Sequence, residues 1–359
     1  MKIAFIIQDV TTDGGTERTS CCLANEMVRQ GNDVTIVSVF HEQEPCFPID
    51  YRVKLEYLTD DHYGLDLNLF ERLYLVFRQV GAVKRCEALQ NADVIISQKL
   101  LASVLVNMAG LKSRAYACEH YKYGMYNPVV RFFRDRMYRG FHGLVTLTDN
   151  DRQQFLARGV QHVHVVENMV SITPLPYEGY NAKTILAVGR LDKQKAFDLL
   201  LEAISYIPAE KMEGWHVDIY GDGPDREMLV DLRDELDLND RVAFHPFVKN
   251  IEQAYATHAM LVMSSRFEGF PMVLLEAAAA GIPIISFACK EGPATLLSNG
   301  GGILVEPENT KALAEAIVRV MDDSALRAKL RSESKQVVVN YTPEAIYRKW
   351  MTIISKVNE

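Results

Sequence analysis

The sequence predicts an α/β fold made of two doubly wound parallel sheets. Three observations carry this. Short apolar runs alternate with helical periodicities up to about Asn168. A stretch without period, Ser171 to Asn181, holds Pro174, Pro176 and Gly179 and reads as a linker. The alternation then restarts at Thr184. Strands covered on both faces read as continuous Val, Ile and Leu runs, and parallel strands need helices between them. A chain of 359 residues also suits roughly two domains at about 150 residues each.

In the first half, Lys2 to Ile7 reads as a buried strand and Gly14-Gly15 as a turn. Thr16 to Gln30 has helical spacing through Leu23 and Met27 and stops at Gly31. Asp33 to Phe40 is a Val- and Ile-rich strand, and Asp93–Ser97, Ala115–Glu119 and Gly143–Leu147 are further short strands. In the second half, strands are expected at Thr184–Val188, Trp215–Tyr220, Val242–His245, Met260–Ser264 and Pro283–Phe287. Helices are expected at Asp198–Tyr206, Asp225–Leu236 and Met272–Ala280. Thr342 to Lys356 reads as a terminal helix with Ile346, Trp350, Ile353 and Ile354 on one side. The expected domains are 1–172, with 342–359 crossing back to it, and 180–341. Sheets of this kind bind ligands beyond the carboxyl ends of their strands, so a cleft between the domains is the expected site.

Lys and Arg total 39 and Asp and Glu total 47, giving a net charge of −8. That balance argues against a general nucleic-acid binder, which carries a basic footprint. Hydrophobic content of 48% and charged content of 24% exclude a disordered chain. The six cysteines form no C-x-x-C pair, so neither a zinc ribbon nor a disulfide scaffold is expected, and a reducing cytosol is the default. The apolar run in MKIAFIIQDV is too short for a signal peptide, and no stretch approaches a membrane span.

Four segments carry candidate chemistry. Asp13-Gly14-Gly15-Thr16-Glu17 joins a strand to a helix; it is either a plain turn or a close-approach loop whose helix N–H groups meet an anion. In Val188-Gly189-Arg190-Leu191-Asp192-Lys193-Gln194-Lys195, Arg190 and Lys195 either converge on a diphosphate or form a solvated basic turn. Tyr220-Gly221-Asp222-Gly223-Pro224 suits close ligand approach, or is an ordinary loop with an aspartate near the helix start. The most informative segment is Ser264 to Ala277, SSRFEGFPMVLLEA. It places Glu268 in a Gly/Pro loop and Glu276 between Leu275 and Ala277, where a buried carboxylate needs a partner. Two carboxylates suit the hydroxyls of a sugar and a ribose. His120 ends a strand, where α/β enzymes place functional groups, although a lone histidine is more often structural. Asp149-Asn150-Asp151 is a literal D-x-D, but it begins an expected helix, so capping is preferred to metal binding.

With GGTER, VGRLDKQK, YGDGPDR, SSRFEGFPMVLLEA and EGPATLLSNGGGILV in this order, nearly the whole chain resembles the retaining glycosyltransferases of family 4. The resemblance implies the GT-B fold, with two Rossmann-like domains facing a central cleft. It implies a nucleotide-sugar donor, usually a UDP-sugar, on the second domain and an acceptor on the first, with no tightly bound cofactor and no metal. It puts Arg190 and Lys195 on the diphosphate, Glu276 on the ribose and Glu268 at the donor sugar. Gly14, Gly15, Gly221, Gly269, Phe270 and Pro271 line the donor, Gly15 near its phosphates, and His120 stands beside the reacting centre. Glu291 to Leu297 would surround the sugar and phosphates, and the backbone near Phe247 to Ile251 would meet the base. Ala196, Pro246 and Thr295 stand where the family commonly has Gly, Gly and Glu. The implied reaction transfers a hexose or N-acetylhexosamine with retention, on one face of the sugar, the donor phosphate helping to take the proton. Arg190, Lys195 and helix N-termini offset the charge on the leaving diphosphate.

Two segments of the first half interleave basic and apolar residues. In 121–142, Lys122, Arg131, Arg134, Arg136 and Arg139 alternate with tyrosines and phenylalanines; in 69–86, Arg72, Arg78, Lys84 and Arg85 flank Leu73, Leu75, Val76 and Phe77. They suit an anionic membrane surface or lipid-linked diphosphate, or are amphipathic helices packed on their own sheet. The expected protein is therefore a cytoplasmic enzyme, peripheral at the membrane if the first alternative holds. The expected pathway is surface polysaccharide or glycolipid synthesis. The rival functions are a nucleotide-sugar epimerase of the same architecture and a non-catalytic sugar-nucleotide-binding scaffold.

Overall fold

A computed structural model describes residues 1–61, 69–248, 250–289, 292–298 and 300–355, without the side chains of 69, 70, 72 and 73. Glu291, Lys249, Lys356, Arg72 and Leu73 thus lie wholly or in their side chains outside the described residues. The chain divides into two compact units, Met1–Met169 with Pro343–Glu359, and Val170–Thr342.

Unit 1 runs β1 (Lys2–Asp9), α1 (Gly15–Arg29), β2 (Asp33–Phe40), β3 (Lys54–Tyr57), α2 (Leu69–Arg85), α3 (Glu87–Gln90), β4 (Val94–Gln98) and α4 (Lys99–Met108). It continues through β5 (Ala115–Glu119), α5 (Pro128–Tyr138), β6 (Gly143–Thr146), α6 (Asp149–Ala157) and β7 (Val163–Val165). Unit 2 runs β8 (Thr184–Val188), α7 (Phe197–Ser205), β9 (His216–Tyr220), α8 (Arg226–Glu235), β10 (Val242–His245), α9 (Glu252–Thr257) and β11 (Met260–Met263). It ends with α10 (Met272–Ala280), β12 (Ile284–Phe287), α11 (Pro293–Leu296), β13 (Gly302–Val305), α12 (Thr310–Asp322) and α13 (Ser324–Val337). The last helix, α14 (Pro343–Ser355), belongs to unit 1.

Both sheets are parallel throughout their described pairings. The first has the order β3-β2-β1-β4-β5-β6-β7 and the second β10-β9-β8-β11-β12-β13. Strand order reverses between β1 and β4 and again between β8 and β11. At such a switch point the two loops leaving the carboxyl ends diverge and open a crevice. The central strands are buried throughout, as β4 (VIISQ) and β5 (AYACE) show, which is why they read as apolar runs. Cys21 packs in α1 with its thiol pushed up to about 12 by burial, as a small hydrophobe behaves.

The terminal helix is held by burial and by polar anchors. Ile346, Trp350 and Ile354 are buried, each contributing roughly 1.5–3 kcal/mol of burial free energy. Tyr116 donates its hydroxyl to Ile353 O at 3.1 Å, and Lys349 pairs with Glu167 at 2.7 Å.

In the D-x-D segment the cap is Thr148, one residue before the expected aspartate. Its Oγ1 accepts from Asp151 N at 3.1 Å and donates to Asp151 Oδ2 at 2.7 Å. Asp151 is buried and also accepts from Tyr123 N at 2.8 Å, so its carboxylate is a structural anchor. Among the described residues no group of three or more His, Cys, Asp or Glu could hold a metal ion.

Candidate active site

In unit 2, the loops after β8 and β11 meet across the switch point. After β8, Asp192 Oδ1 accepts from the backbone N–H of Gln194 and of Lys195, both at 3.1 Å. That Asx turn folds the chain back before α7. After β11, Arg266 forks onto Asp198 at 3.1 and 2.6 Å and donates to Lys193 O at 2.9 Å. Ser264 Oγ donates to Lys195 O at 3.1 Å, and Gln194 donates to Phe267 O at 3.1 Å. So held, Lys195 Nζ reaches Glu268 Oε1 at 2.7 Å, and Ser265 Oγ donates to the same oxygen at 2.7 Å. Glu268 is buried and Lys195 largely so, whereas the Arg190 side chain is 68% exposed, with Asp192 at 3.9 Å. The joined loops thus present the exposed Arg190 guanidinium beside a shielded Lys–Glu pair.

Ala196 sits at the N-cap of α7 with φ 53° and ψ 47°, the left-handed region. That conformation costs a side-chain-bearing residue about 1–2 kcal/mol and explains why glycine is common there in the resembled family. Ala196→Gly is expected to leave the thermal midpoint nearly unchanged. The relieved strain offsets the buried methyl (~0.8 kcal/mol) and the freer unfolded chain (~0.4–1 kcal/mol). A loss above about 2 kcal/mol in thermal unfolding would contradict this balance.

The glycines of the next loop let its backbone pack closely on the loop after β8. A Cβ on Gly221 would lie 1.9 Å from Gly189 O, and one on Gly223 would lie 2.3 Å from Leu191 O. Leu191 N donates to Asp222 O at 2.9 Å, so the two loops pack backbone to backbone. Asp225 is the N-cap of α8 but makes no side-chain cap bond.

Gly269 and Phe270 are half-buried and Pro271 is the buried N-cap of α10. Glu276 lies within α10, buried, and accepts from Ser171 Oγ at 2.7 Å and from Tyr255 OH at 3.1 Å. Both partners escape a sequence reading: Ser171 opens a segment without period, and Tyr255 lies 21 residues away on α9.

In unit 1, His120 follows β5, and its Nε2 meets Gln98 Oε1 at 2.5 Å, at the end of β4. Burial, with Lys99 as a smaller cause, pushes the imidazole down to about 3, so it is neutral at physiological pH. α1 begins at Gly15 with Gly14 as its N-cap, one residue before the expected start at Thr16. Beneath them, Glu17 accepts from Lys99 Nζ at 2.6 Å. Gln98, Lys99 and Glu17 have no candidate role in the motifs taken singly, because sheet order alone joins the loops after β1, β4 and β5.

Behind His120 lies a buried charge cluster. Arg134 is 1% exposed, bonds to Asp135 Oδ1 at 3.0 Å and lies 4.0 Å from Glu119. Its guanidinium covers the rings of Phe155 at 4.5 Å and Tyr123 at 4.7 Å. Glu119 also accepts from the Tyr138 hydroxyl. Burial pushes the Glu119 carboxyl up to about 7, against the pull of Arg134 and Tyr138.

Comparison with known proteins agrees with this architecture. The family described as "Glycosyltransferase Family 4" matches residues 13–173, and "Glycosyl transferases group 1" matches residues 178–337. The chain is 27% identical to the amylovoran biosynthesis glycosyltransferase AmsD of Erwinia amylovora, over 99% of each chain. It is 33% identical to the lipopolysaccharide 1,6-galactosyltransferase of Salmonella typhimurium, over 84% of each. It is 27% identical, over 99% of each, to a Campylobacter jejuni enzyme. That enzyme is named for transfer of N-acetyl-D-galactosamine to a glycan on a diphosphate-linked undecaprenol. Among solved structures, Anabaena HepE with UDP and glucose superimposes with a TM-score of 0.79 at 18% identity, covering 99% of this chain and 100% of that one. Two Rossmann-like parallel sheets, two family matches spanning most of the chain and a full-length similarity to named transferases together show that this chain is a glycosyltransferase of the GT-B fold, belonging to the family described as Glycosyltransferase Family 4 and Glycosyl transferases group 1.

Proposed function

We propose that the protein is a retaining glycosyltransferase that moves a hexose or N-acetylhexosamine from a UDP-sugar to a glycan or lipid-linked acceptor in surface polysaccharide or glycolipid synthesis. The observation that supports this most is the meeting of the loops after β8 and β11 at the switch point of unit 2. It offers the exposed Arg190 and the Lys195–Glu268 pair, cations for a diphosphate and a carboxylate for sugar hydroxyls. Glu276, a buried carboxylate bonded to Ser171 and Tyr255, takes the ribose hydroxyls, which a carboxylate accepts from well. Gly221 supports the donor indirectly, by letting its loop pack on the Gly189–Leu191 backbone.

Chemically, the leaving group is the nucleoside diphosphate. Arg190, Lys195 and the N-terminal N–H groups of α10 stabilise its growing charge. The acceptor hydroxyl attacks the same face of the anomeric carbon, and its proton passes to the departing phosphate oxygen. His120, neutral and tied to Gln98, serves as a hydrogen-bonding group beside the reacting centre. No protein carboxylate need act as nucleophile. The relatives support the acceptor class, since one is named for lipopolysaccharide and another for a lipid-diphosphate glycan.

The test is a screen of nucleotide sugars for diphosphate release with and without acceptor. Release of UDP that depends on acceptor supports the reading. Conversion of a UDP-sugar to its epimer without acceptor would favour an isomerase, and binding without turnover a scaffold. Glu276→Ala is expected to weaken UDP binding about tenfold or more, measured by titration calorimetry, through loss of charged hydrogen bonds to ribose.

Unit 1 carries features that support a peripheral membrane location. On α5, Phe132 and Phe133 are 66% and 64% exposed, and on α2 Phe77 is 57% exposed. Arg78, Lys84, Arg85, Arg136 and Arg139 are exposed on or beside the same helices. Not all of the basic segment takes part: Arg134, Tyr123, Tyr138 and Phe141 point into the core. Among the described residues no helix is long and apolar enough to cross a membrane. The protein is expected to co-sediment with anionic vesicles at low salt and to be released at high salt.

A further inference from the structure

Unit 1 has its own switch point, and a second Lys–Glu pair spans it. Glu17 follows β1 and Lys99 follows β4, and their Oε1 and Nζ lie 2.6 Å apart. The arrangement parallels Lys195 and Glu268 in unit 2 with the two charges exchanged between the loops, and it has one further difference. Glu268 Oε1 is shared by Lys195 and Ser265, whereas Glu17 Oε2 is buried and has no hydrogen-bond partner. Leaving a buried carboxylate oxygen unsatisfied costs free energy, and native proteins seldom tolerate it without a use.

The surroundings say what that oxygen faces. A Cβ on Gly14 would lie 2.2 Å from Glu17 Oε2, so the oxygen sits directly under the Gly-Gly turn. Gly15 is exposed, and nothing stands within 4 Å of where its Cβ would be. α1 has 15 residues and no side-chain cap, so its first N–H groups also point toward this opening. Lys99 holds its place at a backbone cost, since its φ is +66°. Such strain is retained where it fixes a site.

We propose that Glu17 is a binding residue of unit 1, whose Oε2 accepts a hydrogen bond from a hydroxyl of a sugar ring seated on the Gly14-Gly15 turn. The inference rests on the glycosyltransferase reading and adds a substrate contact to it. A hydroxyl fits better than a phosphate. The ammonium of Lys99 is already matched by Glu17, and an anion would face the uncompensated oxygen. A neutral ring supplies the missing donor and accepts from the helix N–H groups. The hydroxyl comes from the acceptor or from the donor sugar.

The full-length wild type, Glu17→Ala and Glu17→Gln are compared, with folding checked by circular dichroism. Saturation-transfer NMR reads binding of the methyl glycosides of glucose, galactose, mannose, N-acetylglucosamine and N-acetylgalactosamine. Calorimetry reads UDP and UDP-glucose. In the wild type at least one glycoside is expected to bind, or UDP-glucose to bind more tightly than UDP. In Glu17→Ala the affected binding weakens about ten- to hundredfold. In Glu17→Gln it stays within about threefold, because the amide carbonyl still accepts from Lys99 and the amide NH2 donates to the hydroxyl, which can also accept. Loss of the glycoside signal marks the acceptor, and loss of the UDP-glucose advantage marks the donor sugar.

The proposal is overturned by no change in Glu17→Ala, by an equal loss in Glu17→Gln, or by displacement of the glycoside by inorganic phosphate. No sugar binding by the wild type in either arm would do the same. Failure of UDP itself to bind the wild type would instead strike the donor reading of unit 2, and the glycoside arm would still decide the role of Glu17.

Discussion

Arg190→Ala and Lys195→Ala are each expected to lower kcat/KM for glycosyl transfer by about a hundredfold or more, read as UDP release with acceptor present. Removing one preorganised charge that faces the leaving group typically costs this much. The two variants should differ in stability. Arg190 is exposed and its nearest carboxylate, on Asp192, is 3.9 Å away, so its loss should leave the thermal midpoint unchanged. Lys195 compensates the buried Glu268, so Lys195→Ala should also destabilise unit 2, by about 1–3 kcal/mol. Lys195→Ala combined with Glu268→Gln should recover part of that stability without recovering turnover. Near-normal turnover in both single variants would remove the diphosphate assignment.

Arg134→Leu is expected to destabilise unit 1 by about 3–5 kcal/mol, the effect of leaving buried carboxylates without their cation. Arg134 is the cation beside Glu119 and Asp135, and its guanidinium also packs on Phe155 and Tyr123. Glu119 makes the same cluster pH-sensitive. Its folded-state value of about 7 lies above the ordinary 4.5. Between those values the folded protein keeps a proton that the unfolded chain has released, so raising the pH through this window removes stability. Above about pH 7 the buried group is ionised in both states and the full penalty is present. Glu119→Gln should therefore be more stable than the wild type at pH 8, by up to about 3 kcal/mol, with the difference fading near pH 5. Equal thermal midpoints at both pH values would show that Glu119 does not titrate in this range.

Much of the fold was legible because its central strands and amphipathic helices are written locally. The runs that become β1, β2, β4 and β5 are apolar because both faces of each sheet are covered. The glycine and proline punctuation between residues 171 and 181 lies just inside unit 2, which begins at Val170. Edge strands were less legible. β3 has the burial pattern of a largely exposed segment, so it carries no apolar signature. The tyrosines and arginines of 121–142 read as one basic, aromatic stretch, and only packing separates the inward Arg134 and Tyr138 from the outward Phe132 and Phe133.

The sequence by itself determined two doubly wound domains and the residue types of the loops that follow their strands, since these depend on periodicity and on which side chains follow a strand. Tertiary structure alone decided the pairings: Lys195 with Glu268 across 73 residues, Lys99 with Glu17 across 82, and Ser171 with Glu276 across 105. It also decided that Gly221 faces a neighbouring backbone and that Ala196 bends left-handed. The physical reason is that strand order sets which loops share a crevice. That order is fixed by how helices cover both faces of a sheet and is not encoded within any one loop.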